Sequence, residues 1–182
     1  MKHSRKFARQ KGFTYVIAMF LVAVLSVASM AALERAITND RRDKEAQLLY
    51  VGLAYRAAIM NYYVANKAYP TDVGCFANTA AQCLKILLED TNTSTLTRYL
   101  RRPYFDPMTG GDFQIVTEGS NIIGVASTST QRPIKTGAFP LSLVSAQQAA
   151  QQLNHPCDLL ATHNFLCAQT YQEWKFIYTP PQ

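Results

Sequence analysis

The 182-residue chain is long enough for one domain, and its 18 lysines and arginines exceed its 12 acids by +6. Five of the basic residues precede residue 13, which leaves 13 against 12 acids, or +1, for the rest. This balance removes most of the electrostatic case for nucleic-acid binding. The sequence also lacks a Gly-x-Ser-x-Gly turn, a phosphate loop, a dinucleotide fingerprint and a His-Glu-x-x-His motif. We therefore predict no enzyme and no cofactor.

Residues 13–33 form an apolar run without a charge, a glycine or a proline. At about 1.5 Å per residue, a helix of this length crosses the roughly 30 Å hydrocarbon core of a bilayer. The flank before the run is basic, and no acid occurs among the first 33 residues. Such a flank stays on the cytoplasmic side of a membrane. The sequence therefore predicts a single-pass protein whose C-terminal body crosses to the other side.

Gly12 lies between the basic flank and the apolar run, within Lys11-Gly12-Phe13-Thr14. An ordinary secretory signal has an apolar run of about 7–15 residues that ends in a small-residue cleavage site. A plain signal anchor accounts for both the length and the charge. The tetrapeptide, however, resembles the cleavage site of type IV pilin-like precursors. The resemblance implies that a prepilin peptidase removes the leader, residues 1–12, and that Phe13 becomes the N-methylated mature end.

Ile17 departs from the pattern of that family, in which the fifth mature residue is usually a glutamate. A carboxylate within a membrane is costly unless it is paired, and in the family it is thought to offset the terminal amine of a neighbouring subunit. Without that acid, the resemblance implies a minor subunit with a capping or initiating place in a filament. Cleavage depends chiefly on the glycine, so Ile17 does not change that expectation.

The helical pattern continues over residues 34–67, beyond the predicted membrane segment of residues 13–33. Opposite charges three or four residues apart, such as Asp40 and Lys44, suit a solvated helix. An apolar stripe at helical spacing then predicts a face packed on a sheet, which Gly52 would allow to approach closely. The stripe comprises Leu48, Gly52, Tyr55, Ile59 and Tyr62 or Tyr63, widened by Leu49, Leu53 and Met60.

Residues 68–182 are predicted to form a small globular domain. A short helix over residues 80–89 would turn Leu84, Leu87 and Leu88 inward. Turn-forming residues then precede two predicted strands, residues 113–117 and 122–127, joined as a hairpin around Glu118-Gly119-Ser120-Asn121.

The C-terminal part is predicted to add a short Ala/Gln-rich helix over residues 143–153 and a final strand over residues 171–178. The strand places Trp174, Phe176 and Tyr178 on one face. This face either completes the sheet over the long helix or forms an exposed aromatic edge for a partner. We favour the first interpretation.

Four cysteines, Cys75, Cys83, Cys157 and Cys167, lie in the translocated part of the chain. An even number in an exported domain favours disulfides, and short loops favour Cys75–Cys83 and Cys157–Cys167 among the three connectivities. Zinc is the alternative, but the cysteine spacing and the nearby histidines match no known ligand set. Calcium is not expected in the loop of residues 127–135, which contains no carboxylate.

The order of long helix, Asp-Pro turn and hairpin resembles the pseudopilins of type II secretion systems. Asp106-Pro107-Met108-Thr109-Gly110 occupies the place of that family's turn, while Tyr55-Arg56-Ala57-Ala58-Ile59 and Arg98-Tyr99-Leu100-Arg101-Arg102 match a pseudopilin-like group. The resemblance covers residues 6 to about 139. It implies an α+β, pilin-like fold, in which a long N-terminal helix packs on a small antiparallel sheet.

The resemblance also implies a location and partners. The chain would sit in a bacterial inner membrane, with a cytoplasmic N-terminus and a periplasmic domain. Its partners would be prepilin peptidase, other pilins or pseudopilins, and the inner-membrane assembly platform, in a filament that serves secretion or pilus dynamics.

Two other functions remain open. The first is a single-pass, membrane-anchored periplasmic binding domain that never polymerises and keeps residues 1–12. The second is a competence pseudopilin that handles DNA, since aromatic and basic side chains can bind single strands. Three arginines in a nearly neutral domain favour a solvated face or contacts to a neighbouring subunit instead. The cluster comprises Arg98, Arg101 and Arg102 beside Tyr99, Tyr104 and Phe105.

Overall fold

The computed structural model describes residues 13–71, 80–90, 96–137, 139–140, 143, 165 and 167–180. The chain divides into two compact units, Met1–Arg41 and Arg42–Gln182. The longest element, α1, spans Phe13–Asn66 and contributes residues to both units. The predicted leader lies outside the described residues, as does nearly all of the predicted helix over residues 143–153.

The first unit holds the apolar N-terminal part of α1. This part is helical from Phe13 onward, and its described side chains are exposed through residue 33. It is long and apolar enough to cross a membrane. The sequence-based expectation of a long apolar N-terminal helix is therefore confirmed.

In the second unit, one face of α1 enters the core. Leu48, Tyr55 and Ile59 are fully buried, and Tyr62 is nearly so. The predicted stripe is therefore confirmed along its centre. Two of the residues predicted to widen the stripe lie outside the packed face, because Met60 is 36% exposed and Leu53 is only partly buried and does not belong to the core.

The sheet has three antiparallel strands in the order β1-β2-β3, where β1 is Gln114–Glu118, β2 is Asn121–Ala126 and β3 is Lys175–Ile177. The predicted hairpin is confirmed, and Gly119 adopts the positive φ of 62° that its turn requires. The strands begin and end about one residue from the predicted bounds. Phe113 stays outside β1 because its carbonyl accepts a hydrogen bond from the amide of Ala80 instead, at 2.9 Å.

The final strand is shorter than predicted. Tyr171–Glu173 forms a 3₁₀ turn, because the amides of Tyr171 and Gln172 donate to the carbonyls of Gln131 and Ser129 rather than to a strand. Trp174, Phe176 and Tyr178 still share a face, and all three are buried. The interpretation as an exposed aromatic edge is thus wrong, and the strand completes the sheet. The three residues are part of the same core as the α1 stripe.

The helix predicted over residues 80–89 is divided into α2, Ala80–Cys83, and α3, Lys85–Leu88. Leu84, between the two turns, and Leu87 are buried as expected, while Leu88 is partly buried. These leucines therefore pack in or against the core from two short helices rather than from one continuous helix.

The helix α1 approaches the sheet closely at Gly52. A Cβ atom added to Gly52 would lie 2.4 Å from ring carbons of Phe176, which is fully buried in β3. Glycine lowers helix propensity by about 1 kcal/mol relative to alanine, so its presence inside a helix needs a packing reason. Contact with this ring is the reason.

We predict that Gly52→Ala destabilises the protein despite the gain in helix propensity. Overpacking a core costs about 1–3 kcal/mol, which outweighs the propensity gain at this fixed ring. Denaturant unfolding of the detergent-solubilised full chain should show a lower midpoint. Gly137→Ala is the matched control, because nothing lies within 4 Å of its added Cβ. An equal or higher midpoint for Gly52→Ala would contradict the packing account.

Candidate membrane and assembly segment

The exposed apolar part of α1, residues 13–33, is the candidate functional segment, and we call it the membrane segment. Phe13, the expected mature end, is its first residue and is 66% exposed. Gly12 lies outside the described residues, so the geometry of the expected cleavage site stays a prediction. Ile17 is exposed on the helix surface, where the pilin-like family usually places an acid.

The two serine hydroxyls of the membrane segment are satisfied within the helix. Ser26 and Ser29 donate their hydroxyls to the carbonyls of Val22 and Leu25, each at 2.8 Å. Hydrogen bonding inside the segment is what a hydrocarbon environment demands, because lipid offers no partners for polar groups. From Val16 to Leu33, the segment therefore presents an apolar outer surface despite its two serines.

A shallow groove runs along this surface. It is lined by Ala23, Val24, Val27 and Ala28. Small residues at such positions let the backbone of another helix come close, and close approach is how helices associate within lipid. The groove is thus a suitable contact surface for a second membrane helix.

The predicted site residues outside the membrane segment are four cysteines. Cys83 ends α2 and is buried, and Cys167 lies in a turn before the 3₁₀ segment. Both are disulfide-bonded, and the described residues include no free cysteine. Cys75 and Cys157 lie outside the described residues, so the expected pairing of Cys75 with Cys83 and Cys157 with Cys167 stays a prediction.

In the arginine and tyrosine cluster, Arg98 and Arg102 are exposed, whereas Tyr99 and Tyr104 make contacts within the fold. Arg98 pairs with Glu89 at 3.2 Å, and the guanidinium of Arg102 lies over the ring of Tyr104 at 5.3 Å. Tyr99 donates its hydroxyl to the buried carboxylate of Asp90 at 3.1 Å. Burial, followed by that hydrogen bond to Asp90, raises the pKa of Tyr99.

Tyr104 is held in place through its backbone. Its amide donates to the hydroxyl of Tyr55 at 3.0 Å, and the same hydroxyl donates to its carbonyl at 3.1 Å. Burial raises the pKa of Tyr55. Since Tyr99 and Tyr104 both serve the fold, Phe105, which is 61% exposed, is the one aromatic ring of the cluster that is mostly exposed. A stacking platform for single-stranded nucleic acid needs several such rings.

The Asp-Pro turn is built around a fully buried carboxylate. Asp106 accepts hydrogen bonds from the amide of Met108 at 2.9 Å and from the hydroxyl of Ser127 at 2.7 Å. The amide of Thr128 and the hydroxyl of Thr109 also donate to it, each at 3.1 Å. The turn is thereby joined to the end of β2, which sequence reasoning did not foresee because the partners are about 20 residues away.

A second carboxylate that sequence reasoning missed is Glu45 on α1, which is 3% exposed. The sequence places it in a mixed-charge run, and that composition suggested full solvation. Its position three residues before Leu48, in line with the apolar stripe, was the available signal. In the structure it binds the segment around Ile134 and the 3₁₀ turn.

No protein-family profile, no curated protein and no solved structure matches this chain. The described residues therefore define a broad structural class: an α+β protein with one candidate membrane-spanning helix and a three-stranded antiparallel sheet.

We predict that Leu25→Arg impairs membrane insertion. A central arginine raises the apparent free energy of insertion by about 2.5–3.5 kcal/mol. A translocon insertion reporter carrying residues 1–66 measures this value directly. Ile37→Arg, at another exposed position of the same helix beyond the membrane segment, is the control and should change insertion little. Equal insertion of Leu25→Arg and the unmodified segment would show that residues 13–33 do not span the bilayer.

Proposed function

We propose that this chain is a structural subunit, of the minor pseudopilin type, in a periplasmic filament of a type II secretion or type IV pilus-like system. The observation that carries the proposal is α1 itself. One helix begins at Phe13 as an exposed apolar segment and ends at Asn66, and its later residues are packed into the core of a small domain. Together with the Gly12-Phe13 junction, this is the design expected of a pilin-like precursor.

In the proposed sequence of events, the chain first resides in the inner membrane with its basic leader in the cytoplasm. Prepilin peptidase hydrolyses the peptide bond after Gly12 and methylates the new amine of Phe13. The processed subunit then leaves the bilayer as its membrane segment packs against the segments of neighbouring subunits. The inner-membrane assembly platform is the expected site of this transfer.

The exposed surface of the membrane segment supports this role. In lipid, helices associate through dispersion and close backbone approach, since lipid tails are as apolar as the side chains that they contact. The groove at Ala23, Val24, Val27 and Ala28 offers such an approach. The two serines do not oppose this packing in lipid, because their hydroxyls are hydrogen-bonded within the helix.

The absence of an acid at Ile17 supports a minor place in the filament. Between Phe13 and Leu33 there is no carboxylate that could pair with the terminal amine of a neighbour. A subunit at the tip or at the start of a filament needs fewer such pairings than one repeated along its length. The proposal therefore assigns initiation or capping to this chain rather than bulk polymerisation.

We predict that the membrane segment contacts other pilin-like subunits after processing. A photoreactive amino acid at Val24 should cross-link to small membrane-anchored subunits of the same machinery, identified by mass spectrometry. The adducts should disappear in cells that lack prepilin peptidase and in the Gly12→Leu variant, because an unprocessed leader holds the subunit in the bilayer. Adducts that are identical with and without the peptidase, or that contain lipid alone, would contradict the proposed assembly.

A further inference from the structure

A cavity of about 380 Å³ lies beside α1 in the second unit. Its wall is formed by Arg42, Glu45, Ala46 and Leu49 of the helix and by Ile134 and Lys135 of the loop after β2. The volume falls within the roughly 300–1,000 Å³ range of small-molecule sites in proteins. The proposed filament role makes no use of this cavity.

Glu45 is the unusual member of the wall, because its side chain is 97% removed from solvent (3% exposed). All of its hydrogen bonds end on one oxygen, Oε1. The amide of Ile134 donates to Oε1 at 2.6 Å, the amide of Lys135 at 3.2 Å and the hydroxyl of Tyr171 at 2.7 Å. No described group donates to Oε2, so the carboxylate retains an unused acceptor at the cavity wall.

An unused oxygen on a buried carboxylate favours a cationic partner. Burying a charge is costly unless the charge is paired and hydrogen-bonded, and a hydrogen bond between charged groups is stronger than one between neutral groups. The Lys135 amide already bonds Oε1 through the backbone, while its ammonium points elsewhere and lies 5.6 Å from the ring centroid of Phe139. An ammonium group from a ligand fits Oε2.

The same wall also offers positive charge. Arg42 and Lys135 both line the cavity, and no ion pair joins either of them to an acid in the part of the chain that the structure describes. Guanidinium binds a carboxylate through two parallel hydrogen bonds, which makes Arg42 the natural anchor for an anionic group. A ligand for this wall therefore needs an anionic group and an ammonium together.

The rest of the wall is apolar. Ala46 and Leu49 lie one and four residues after Glu45 on the helix, and Ile134 faces them from the loop. An aliphatic side chain of the ligand would bury its apolar surface against these residues, which favours binding. The charges and this apolar part together define the ligand class.

We propose that the cavity binds a small zwitterion, namely a free α-amino acid with an aliphatic side chain. Its ammonium pairs with Oε2 of Glu45, its carboxylate binds the guanidinium of Arg42, and its side chain contacts Leu49 and Ile134. Binding gives Oε2 of Glu45 a hydrogen-bond partner. The ligand is thereby linked to the loop at Ile134 and Lys135, whose amides donate to Oε1 of the same carboxylate. This site is independent of the filament role.

The test uses L-leucine as the probe, titrated into the detergent-solubilised full chain by isothermal calorimetry. We expect saturable binding by L-leucine. N-acetyl-leucine, which lacks the ammonium, and leucinamide, which lacks the carboxylate, should each bind at least about 10-fold more weakly, the range expected for one lost charged hydrogen bond. No saturable binding of L-leucine, or equal binding of all three compounds, would overturn the proposal.

Glu45→Gln is the sharpest variant, because its Oε1 can still accept from Ile134, Lys135 and Tyr171. Its amide nitrogen replaces Oε2 and repels an ammonium, so L-leucine binding should weaken about 10- to 100-fold. If this variant fails to fold, Ala46→Phe fills the cavity from an exposed helix position and should abolish binding. Gln47→Phe, exposed but outside the cavity wall, is its matched control.

Two results with these variants would contradict the assignment. One is L-leucine binding to Ala46→Phe as tightly as to Gln47→Phe. The other is binding of phosphoethanolamine, a zwitterion without an aliphatic side chain, in place of L-leucine. The first would remove the ligand from this cavity, and the second would show that the site selects a phosphate-bearing ligand instead.

Discussion

The contact between the backbone of α1 at Gly52 and the ring of Phe176 is the constraint on which the second unit depends. Phe176 lies at the centre of β3 and pairs with Val125 of β2, so its fully buried ring couples the helix to the sheet. The close approach leaves no room for a side chain at position 52. Trp174 and Tyr178 then fall on the same face as Phe176, and the core closes around the apolar stripe of the helix.

Buried carboxylates also stabilise the second unit, because its sheet has only three short strands and the loops around the sheet need other contacts. Asp106 joins the Asp-Pro turn to the end of β2. Asp90 joins the C-terminal end of α1 to the arginine and tyrosine cluster, because it accepts hydrogen bonds from Asn66 and Tyr99. Glu45 joins α1 to the loop near Ile134. A buried carboxylate with several donors is stable only while those donors stay in place, so each one fixes the loops around it. Glu45 differs from Asp106 in leaving one oxygen unused beside a cavity.

How much the sequence could predict depends on how local the signal was. The apolar run of residues 13–33, the helical stripe from Leu48 and the hairpin around Gly119 are local periodicities or turn residues, and the structure bears out each of them. Long-range hydrogen bonds leave no such local mark. The 3₁₀ turn at Tyr171 and the buried Glu45 were missed for that reason, because their partners lie far away in the chain. The division of the helix at residues 80–88 was also missed, although the hydrogen bonds around Leu84 are local. The cleavage site at Gly12 and the pairing of the cysteines stay predictions, because Gly12, Cys75 and Cys157 lie outside the described residues.

The central claim is that this chain is a processed, filament-forming subunit, and the N-terminus of the mature protein tests it most directly. Intact-mass analysis of the membrane-extracted protein, expressed with and without a prepilin peptidase, reads the terminus without assuming any partner. The account predicts a chain that begins at methylated Phe13 when the peptidase is active, and the full-length chain when it is absent or when Gly12 is changed. A chain that keeps residues 1–12 in the presence of active peptidase would contradict the account and leave a membrane-anchored binding domain in its place.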